Sequence, residues 1–262
     1  MFGIIRLGVC LAILALVPAA ADELRPLCPD RPGKGTSPCT LDAGHFQIEI
    51  DGFDTALQQS GGGNVRTTIL GDPVVKYGLG DTVDIEAGLA PYIEQHMPGH
   101  SISGQGDLYL RGKWNFLAGD GPLAAVVEPF VKLATATRGL GDGALEEGVV
   151  LPLSYDLGGG WGLASTPEIY VLLNAAGTGR HATAIDVIGL GRTLEGGLTL
   201  GVEAWTSQDF DPARVTSQYS FDLDGAWQPP GNSEMQFDAG LNFGLNRKTP
   251  VTQIYLGVSR RF

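Results

Sequence analysis

Residues 251–262 read Val-Thr-Gln-Ile-Tyr-Leu-Gly-Val-Ser-Arg-Arg-Phe, and they alternate between apolar and more polar side chains. A period of two is the mark of a β-strand with one apolar face and one wetter face. The stretch ends on the aromatic residue Phe262, which is typical of the closing strand of an outer-membrane barrel. An ordinary last strand of a soluble β protein is the alternative. The apolar face consists of the even-numbered residues Ile254, Leu256, Val258 and Phe262. The other face consists of the odd-numbered residues Gln253, Tyr255, Gly257, Ser259 and Arg261.

The N-terminus has the features of a secretory signal peptide. Arg6 supplies a positive charge, residues 7–17 are apolar, and residues 18–21 (Pro-Ala-Ala-Ala) offer small side chains for cleavage. The apolar run is too short for a comfortable transmembrane helix. We therefore expect residues 1–21 to be removed on export to the outer membrane of a bacterial cell.

Two cysteines, Cys28 and Cys39, remain after that cleavage, and they flank a Pro- and Gly-rich stretch. An even pair of cysteines in an exported chain predicts a disulfide. A metal site is the alternative, and the lack of a nearby histidine pair makes it the weaker one. We expect a disulfide-tied N-terminal segment at residues 22–43, placed either inside a barrel or in the periplasm, followed by a barrel at residues 44–262.

Composition narrows the class of protein further. The chain carries 17 Lys+Arg against 29 Asp+Glu, a net charge of −12, which argues against a nucleic-acid partner because such partners need basic patches. Beyond the N-terminus no apolar run approaches the length of a spanning helix, so any membrane crossing must use strands. Alternating segments of about ten residues predict an all-β, closed, antiparallel transmembrane barrel of about 12 strands. The predicted strands are 44–53, 64–79, 82–94, 105–117, 123–134, 145–157, 161–174, 182–194, 197–207, 214–227, 234–246 and 251–262.

The links between these segments alternate in length along the chain. Short links are predicted at 80–81, 118–122, 158–160, 195–196 and 228–233. Mostly longer links are predicted at 54–63, 95–104, 135–144, 175–181, 208–213 and 247–250. Outer-membrane barrels have short periplasmic turns and longer extracellular loops, so this alternation favours such a barrel.

Aromatic residues gather at the ends of the predicted strands that face the short links. Trp and Tyr favour the membrane–water boundary, because each combines a flat apolar ring with a polar group. Core aromatics of a soluble fold are the alternative. The predicted periplasmic girdle consists of Tyr77, Trp114, Tyr155, Trp161, Trp227 and Phe262, with Phe116 beside Trp114.

Charged residues alternate with apolar ones on several strands, which predicts that they line a lumen. Twelve acids are predicted to point inward: Glu49, Asp51, Asp84, Glu86, Asp107, Glu128, Glu168, Asp186, Glu203, Asp222, Asp224 and Asp238. Five bases share that face: Lys76, Arg111, Lys113, Lys132 and Arg192. Either these charges pair to fill the barrel, or their acidic surplus gives a pore that prefers cations. Neutralising Glu86, Asp107 and Asp238 is then expected to weaken that preference.

Four short motifs resemble a known family, and their order along the chain carries the resemblance. Residues 71–79 (Gly-Asp-Pro-Val-Val-Lys-Tyr-Gly-Leu) and 81–92 (Asp-Thr-Val-Asp-Ile-Glu-Ala-Gly-Leu-Ala-Pro-Tyr) look like the second and third strands of the transporter-like outer-membrane barrels named for a meta-cleavage phenol-degradation pathway. Residues 104–113, which begin Gly-Gln-Gly-Asp, and the ending Gly-Val-Ser-Arg-Arg-Phe at 257–262 are similar to the same family. Arg260 departs from it, since an apolar or aromatic residue is usual there. The resemblance implies passage of small molecules, aromatic ones among them, across the outer membrane.

Signals for catalysis are weak in this sequence. No Gly-x-Ser-x-Gly motif is present, so a hydrolase of that type lacks its nucleophile signal. His45 and His181 have no serine and acid at a recognisable spacing, and Pro98-Gly99 between His96 and His100 prevents a helical metal site. We therefore expect no enzyme activity, no metal and no cofactor.

The expected function is passive or facilitated passage of small solutes, aromatic or cationic ones among them. A plugged structural or adhesive barrel is the alternative, and a membrane-embedded lipid hydrolase is a more distant one. The expected partners are outer-membrane lipids, the solute, and the barrel-assembly machinery, which would bind the C-terminal strand ending in Phe262.

Overall fold

The computed structural model describes residues 24–117 and 121–262, so the predicted signal peptide at 1–21 lies outside the described residues. The described chain forms seventeen β segments. They are β1 Phe46–Ser60, β2 Gly63–Leu70, β3 Asp72–Gly80, β4 Val83–Leu89, β5 Tyr92–Met97, β6 His100–Gly104, β7 Leu108–Asn115, β8 Leu123–Leu133, β9 Glu146–Val150, β10 Leu153–Gly158, β11 Trp161–Ser165, β12 Glu168–Leu173, β13 Arg180–Thr193, β14 Leu198–Asp209, β15 Thr216–Trp227, β16 Met235–Gly244 and β17 Thr252–Arg261. Among these residues the structure contains no helix long and apolar enough to cross a membrane.

The segments form a closed antiparallel barrel. Five pairs of consecutive segments (β2–β3, β4–β5, β6–β7, β9–β10 and β11–β12) each make one barrel strand with a short interruption, so seventeen segments give twelve strands. Gly71 interrupts the first pair with a positive φ of 65°. The last segment closes on the first, with β17 paired to β1 from Gln47↔Arg261 to Leu57↔Thr252. The predicted twelve-stranded closed barrel is therefore confirmed.

The barrel wall is apolar outside and polar inside. Leu256 and Phe262 on the outer face are 53% and 60% exposed. Lys76 and Asp222, on the inner face, are 1% and 0% exposed. This is the reverse of a soluble protein, and it suits a surrounding hydrocarbon phase because closure also pairs the backbone groups along every strand edge.

Two of the predicted long links are wrong. β1 continues to Ser60 and pairs with β2 from Asp54↔Ile69 to Ser60↔Gly63, so only residues 61–62 turn between them. Likewise β5 pairs with β6 up to Met97↔His100, which leaves Pro98-Gly99 as the turn. Residues 54–60 have few apolar side chains on either parity, so their sequence looks like a loop although their backbone pairs as strand. At the end of the barrel where the longer links lie, the longest link is 134–145.

Two predicted inward charges lie on the outer face of β13. Val187 is 1% exposed and Ile188 is 53% exposed, so the inward parity is odd-numbered here. Asp186 and Arg192 therefore point outward, and the Arg192 guanidinium lies 5.1 Å from the centroid of the Trp161 ring. The prediction failed because β13 carries apolar residues on both parities, which hides the register.

Arginine on the lipid-facing surface should destabilise the barrel according to its depth. Leu223 faces outward between Val202 and Leu241 of the neighbouring strands, and Val215 lies on an extracellular link. We expect Leu223→Arg to cost about 2–4 kcal/mol of unfolding free energy and Val215→Arg at most about 1 kcal/mol. Urea unfolding in phospholipid vesicles measures both, and equal costs would contradict the placement of the bilayer.

Candidate functional site

The candidate site is the barrel lumen together with residues 24–45, called here the inserted segment. This segment enters the barrel at the end where β1 begins and β17 ends, and its tip at residues 30–36 contacts opposite walls of the lumen. The predicted disulfide is confirmed: Cys28 and Cys39 are bonded, with their Cα atoms 5.9 Å apart. Leu27, Cys28 and Leu41 are buried, so the lower lumen is filled by the two arms of the segment.

On one wall the tip contacts two buried lysines. Asp30 Oδ1 accepts a hydrogen bond of 2.7 Å from Lys113 Nζ, and Asp30 Oδ2 accepts one from Lys76 Nζ. The Lys76 and Lys113 side chains are at most 1% exposed. Burial alone would raise the pKa of Asp30, but the two ammonium groups outweigh it and hold that pKa below its ordinary value. The carboxylate therefore stays ionised and paired.

On the opposite wall the tip contacts three acids. Arg31 Nη2 lies 2.7 Å from Asp51 Oδ1 and 2.8 Å from Asp238 Oδ1. Lys34 Nζ lies 3.0 Å from Asp222 Oδ2 and 2.7 Å from Ser220 Oγ. Bases on one wall and acids on the other thus hold a tip of complementary charge between them.

Backbone hydrogen bonds fix the tip as closely as its side chains do. The Lys34 N–H donates to Glu203 Oε2 at 2.8 Å, and the Gly33 N–H donates to the Tyr255 hydroxyl at 2.8 Å. Gly33 has a φ of +89°, and a Cβ there would lie 2.6 Å from Glu203 Oε1. Only glycine fits that conformation so close to a carboxylate.

A cavity of about 290 Å³ lies beside the tip. Tyr109, Phe130 and Tyr170 form one side of it, with ring centroids 6.1 Å apart for Tyr109–Phe130 and 4.7 Å apart for Phe130–Tyr170. Arg111 lies 5.2 Å from the Tyr109 centroid. Seven carboxylates and four basic side chains line the cavity, so it is acidic.

The structure places all nine charged residues of the predicted site on the lumen side. Most are ion-paired: Asp238 with Arg31, Glu86 with the two lysines at 3.5 and 3.7 Å, and Glu128 with Arg111 at 3.5 Å. Lys132 lies 3.4 Å from Asp107 and 2.8 Å from Asp142, which ties the extracellular link 134–145 to the wall. Asp84 Oδ2 accepts from the Leu41 N–H, and Glu203 accepts from the tip. Their part in solute passage stays a prediction.

The girdle residues lie near the ends of strands at the short-link side. Trp114, Tyr155, Trp161, Trp227 and Phe262 are 40–60% exposed on the outer face. Tyr77 is half-buried, because its ring packs against that of Phe46 with centroids 4.5 Å apart.

Several residues of the site were missed by sequence analysis. They are Asp30, Arg31 and Lys34 of the tip and Asp54 and Asp72 of the wall. Asp72 follows the strand interruption at Gly71, and Asp54 follows a register shift between Asp51 and Phe53, so neither lies in a regular alternation of apolar and polar residues. The basic residues between the cysteines were the one available signal for the tip.

The histidines show no catalytic arrangement. His181 lies between two carboxylates, with Nε2 3.0 Å from Asp209 and Nδ1 3.5 Å from Asp211. His45 Nδ1 lies 3.2 Å from the Ala43 carbonyl oxygen. In the described part of the chain the one serine hydroxyl in hydrogen-bond contact with a histidine is Ser101 beside His96, on an exposed hairpin.

The carboxylates of Asp30, Glu86 and Glu128 come within 4.8 Å of one another. Lys113 lies 2.7, 3.5 and 3.6 Å from these three carboxylates, and Lys76 contacts Asp30 and Glu86 as well. The ammonium groups thus supply the positive charge that this acidic cluster needs.

A closed twelve-stranded barrel with a lipid-compatible exterior and a charged lumen defines an outer-membrane β-barrel. Residues 29–262 match the family model described as "Putative MetA-pathway of phenol degradation". The chain belongs to that family, as the sequence motifs implied. No curated protein sequence matches it significantly.

Solved structures share this fold at low sequence identity. An outer membrane channel from Pseudomonas putida F1 is 12% identical with a TM-score of 0.66, covering 88% of this chain and 99% of that one. The NanC porin is 8% identical with a TM-score of 0.53, covering 81% and 98%. The translocator domain of the autotransporter NalP from Neisseria meningitidis is 15% identical with a TM-score of 0.53, covering 84% and 89%.

Removing one lysine should test the charge network around the tip. Lys113→Met leaves three carboxylates, two of them buried, close together without the ammonium that they share, and we expect a loss of about 3–5 kcal/mol in unfolding free energy. Lys248→Met removes an exposed charge from an extracellular link and serves as the control. Urea unfolding in vesicles measures both variants, and similar stabilities of the two would show that the network is not holding the segment.

Proposed function

We propose that this protein passes small solutes across the outer membrane through its lumen, and that the inserted segment sets the width of the passage. The observation that carries the proposal is a closed barrel with a polar, acidic interior, which retains open volume beside the tip. Its family and the channel and porin with which it shares a fold support the same class of function.

Cation preference in this passage would come from acids that lack a basic partner. Among the described residues, Asp54, Asp72 and Asp224 are three of the lumen acids that make no ion pair: Asp54 accepts from Gln253 Nε2 at 2.8 Å, and Asp224 faces Gly201 across the strand pair. Glu86, Asp107 and Asp238 are instead neutralised by lysine or arginine. We therefore expect Asp54, Asp72 and Asp224, rather than Glu86, Asp107 and Asp238, to give the passage its cation preference.

A plugged structural barrel is the second candidate, and one specific observation favours it. Asp30 on one side and Arg31 and Lys34 on the other fasten the tip to both walls. If these contacts persist and the remaining gaps do not connect, the lumen passes nothing. Conductance separates the two candidates directly.

Loosening the tip should enlarge the pore. In planar bilayers we expect small single-channel steps from the unaltered protein and severalfold larger steps from Arg31→Ala combined with Lys34→Ala, because three wall acids then lose their contacts with the tip. Arg192→Ala, which removes an outward-facing arginine, should leave the steps unchanged. Silence from the unaltered protein with steps from the loosened variant would favour the plugged barrel, and silence from both would end the channel proposal.

Neutralising the unpaired acids should reduce ion selectivity. Reversal potentials in asymmetric KCl should show cation preference, and combining Asp54→Asn, Asp72→Asn and Asp224→Asn should move the potential toward zero. The control is Asp186→Asn, which neutralises an acid on the outer face. Anion preference in the unaltered protein would refute this account of the lumen.

A further inference from the structure

We infer that the cavity beside the tip binds single-ring aromatic cations. The inference rests on the proposed function, since it names the class of solute that the passage would select. It is carried by three features of one cavity: its size, its aromatic side and its unpaired acids.

The size of the cavity limits the ligand to one ring. Binding sites for small molecules usually measure about 300–1,000 Å³, and this cavity of about 290 Å³ lies at the lower end of that range. A single ring with a short substituent suits such a volume. A fused or extended aromatic system would have to displace the tip.

The aromatic side leaves two rings, those of Phe130 and Tyr170, for contact with a ligand. Phe130 and Tyr170 meet edge to face, with an interplanar angle of 69°. The third ring, Tyr109, is already covered by the Arg111 guanidinium at 5.2 Å. A ligand ring would therefore pack against Phe130 and Tyr170, and a positive charge on it would gain from their π-electrons.

The charges of the cavity favour a cation over an anion. Each base that lines it is engaged by a carboxylate: Arg31 by Asp51, Lys34 by Asp222, Lys76 by Glu49 and Arg111 by Glu128. Two of the lining acids, Asp72 and Glu168, have no ion-pair partner in the described part of the chain.

One buried carboxylate oxygen of the cavity lacks a hydrogen-bond donor. Glu128 is 3% exposed and lines the cavity, and its Oε2 atom has no hydrogen-bond partner in the described structure. The nearest ammonium, Lys113 Nζ, lies 3.6 Å away, beyond hydrogen-bond distance. A ligand that carries an N–H group would donate the hydrogen bond that this oxygen lacks.

Isothermal titration calorimetry on the purified full chain in a maltoside detergent tests this inference with four probes. Benzylammonium has a ring and a charged N–H donor, benzyl alcohol has the ring without the charge, methylammonium has the charged donor without the ring, and benzoate has the ring with the opposite charge. We expect the first probe to bind at least tenfold more tightly than the second and third, and benzoate not to bind. Equal affinities, or tighter binding of benzoate, would overturn the inference.

Two variants separate the parts of the site. Asp72→Asn combined with Glu168→Gln should weaken the binding of benzylammonium at least tenfold and leave the binding of benzyl alcohol unchanged. Phe130→Leu should weaken both. If the double variant fails to fold, Asp72→Asn alone should still weaken the cationic probe selectively, and unchanged affinity in a folded variant would overturn the inference. Binding without conductance would refute the channel proposal alone, whereas conductance without this binding would refute the cavity as a site.

Discussion

The hydrocarbon of a membrane offers no hydrogen-bond partner to a peptide group, and the barrel described here satisfies that constraint by closing. The pairing of β1 with β17 removes both free edges of the sheet. Once the sheet is closed, alternate side chains must face lipid and lumen. Apolar residues such as Ile254 and Leu256 then belong outside, and the charged residues between apolar neighbours are forced into a narrow interior.

The charges confined in that interior explain why the inserted segment lies where it does. The tip contacts lysines of β3 and β7 on one side and acids of β15, β16 and the start of β1 on the other. A tip that carries Asp30 toward the lysines and Arg31 and Lys34 toward the acids completes this charge pattern. Buried ion pairs contribute little net stability, but breaking one is costly, so the pattern specifies where the tip lies.

The architecture could be predicted from the alternating segments and from the alternation of short and long links, because lipid on one side and water on the other leave a clear period of two. The register of β13 could not be predicted, since apolar residues at Ile185, Val187 and Ile188 occupy both parities. The extension of β1 over residues 54–60 was also missed, because a strand pair that need not bury a side chain carries no apolar signal. The disulfide followed from Cys28 and Cys39, but the path of the segment did not. The tip of that segment alone is held by charged side chains from six different strands.

Photolabelling with a membrane-dissolved carbene precursor, read by mass spectrometry at single residues, tests the central claim most directly. The protein in vesicles should be labelled at Ile254, Leu256 and Leu223 and spared at Tyr255 and at Leu27 and Leu41 of the inserted segment. Labelling of both parities of β17, or of Leu27 and Leu41, would contradict a closed barrel whose lumen holds that segment.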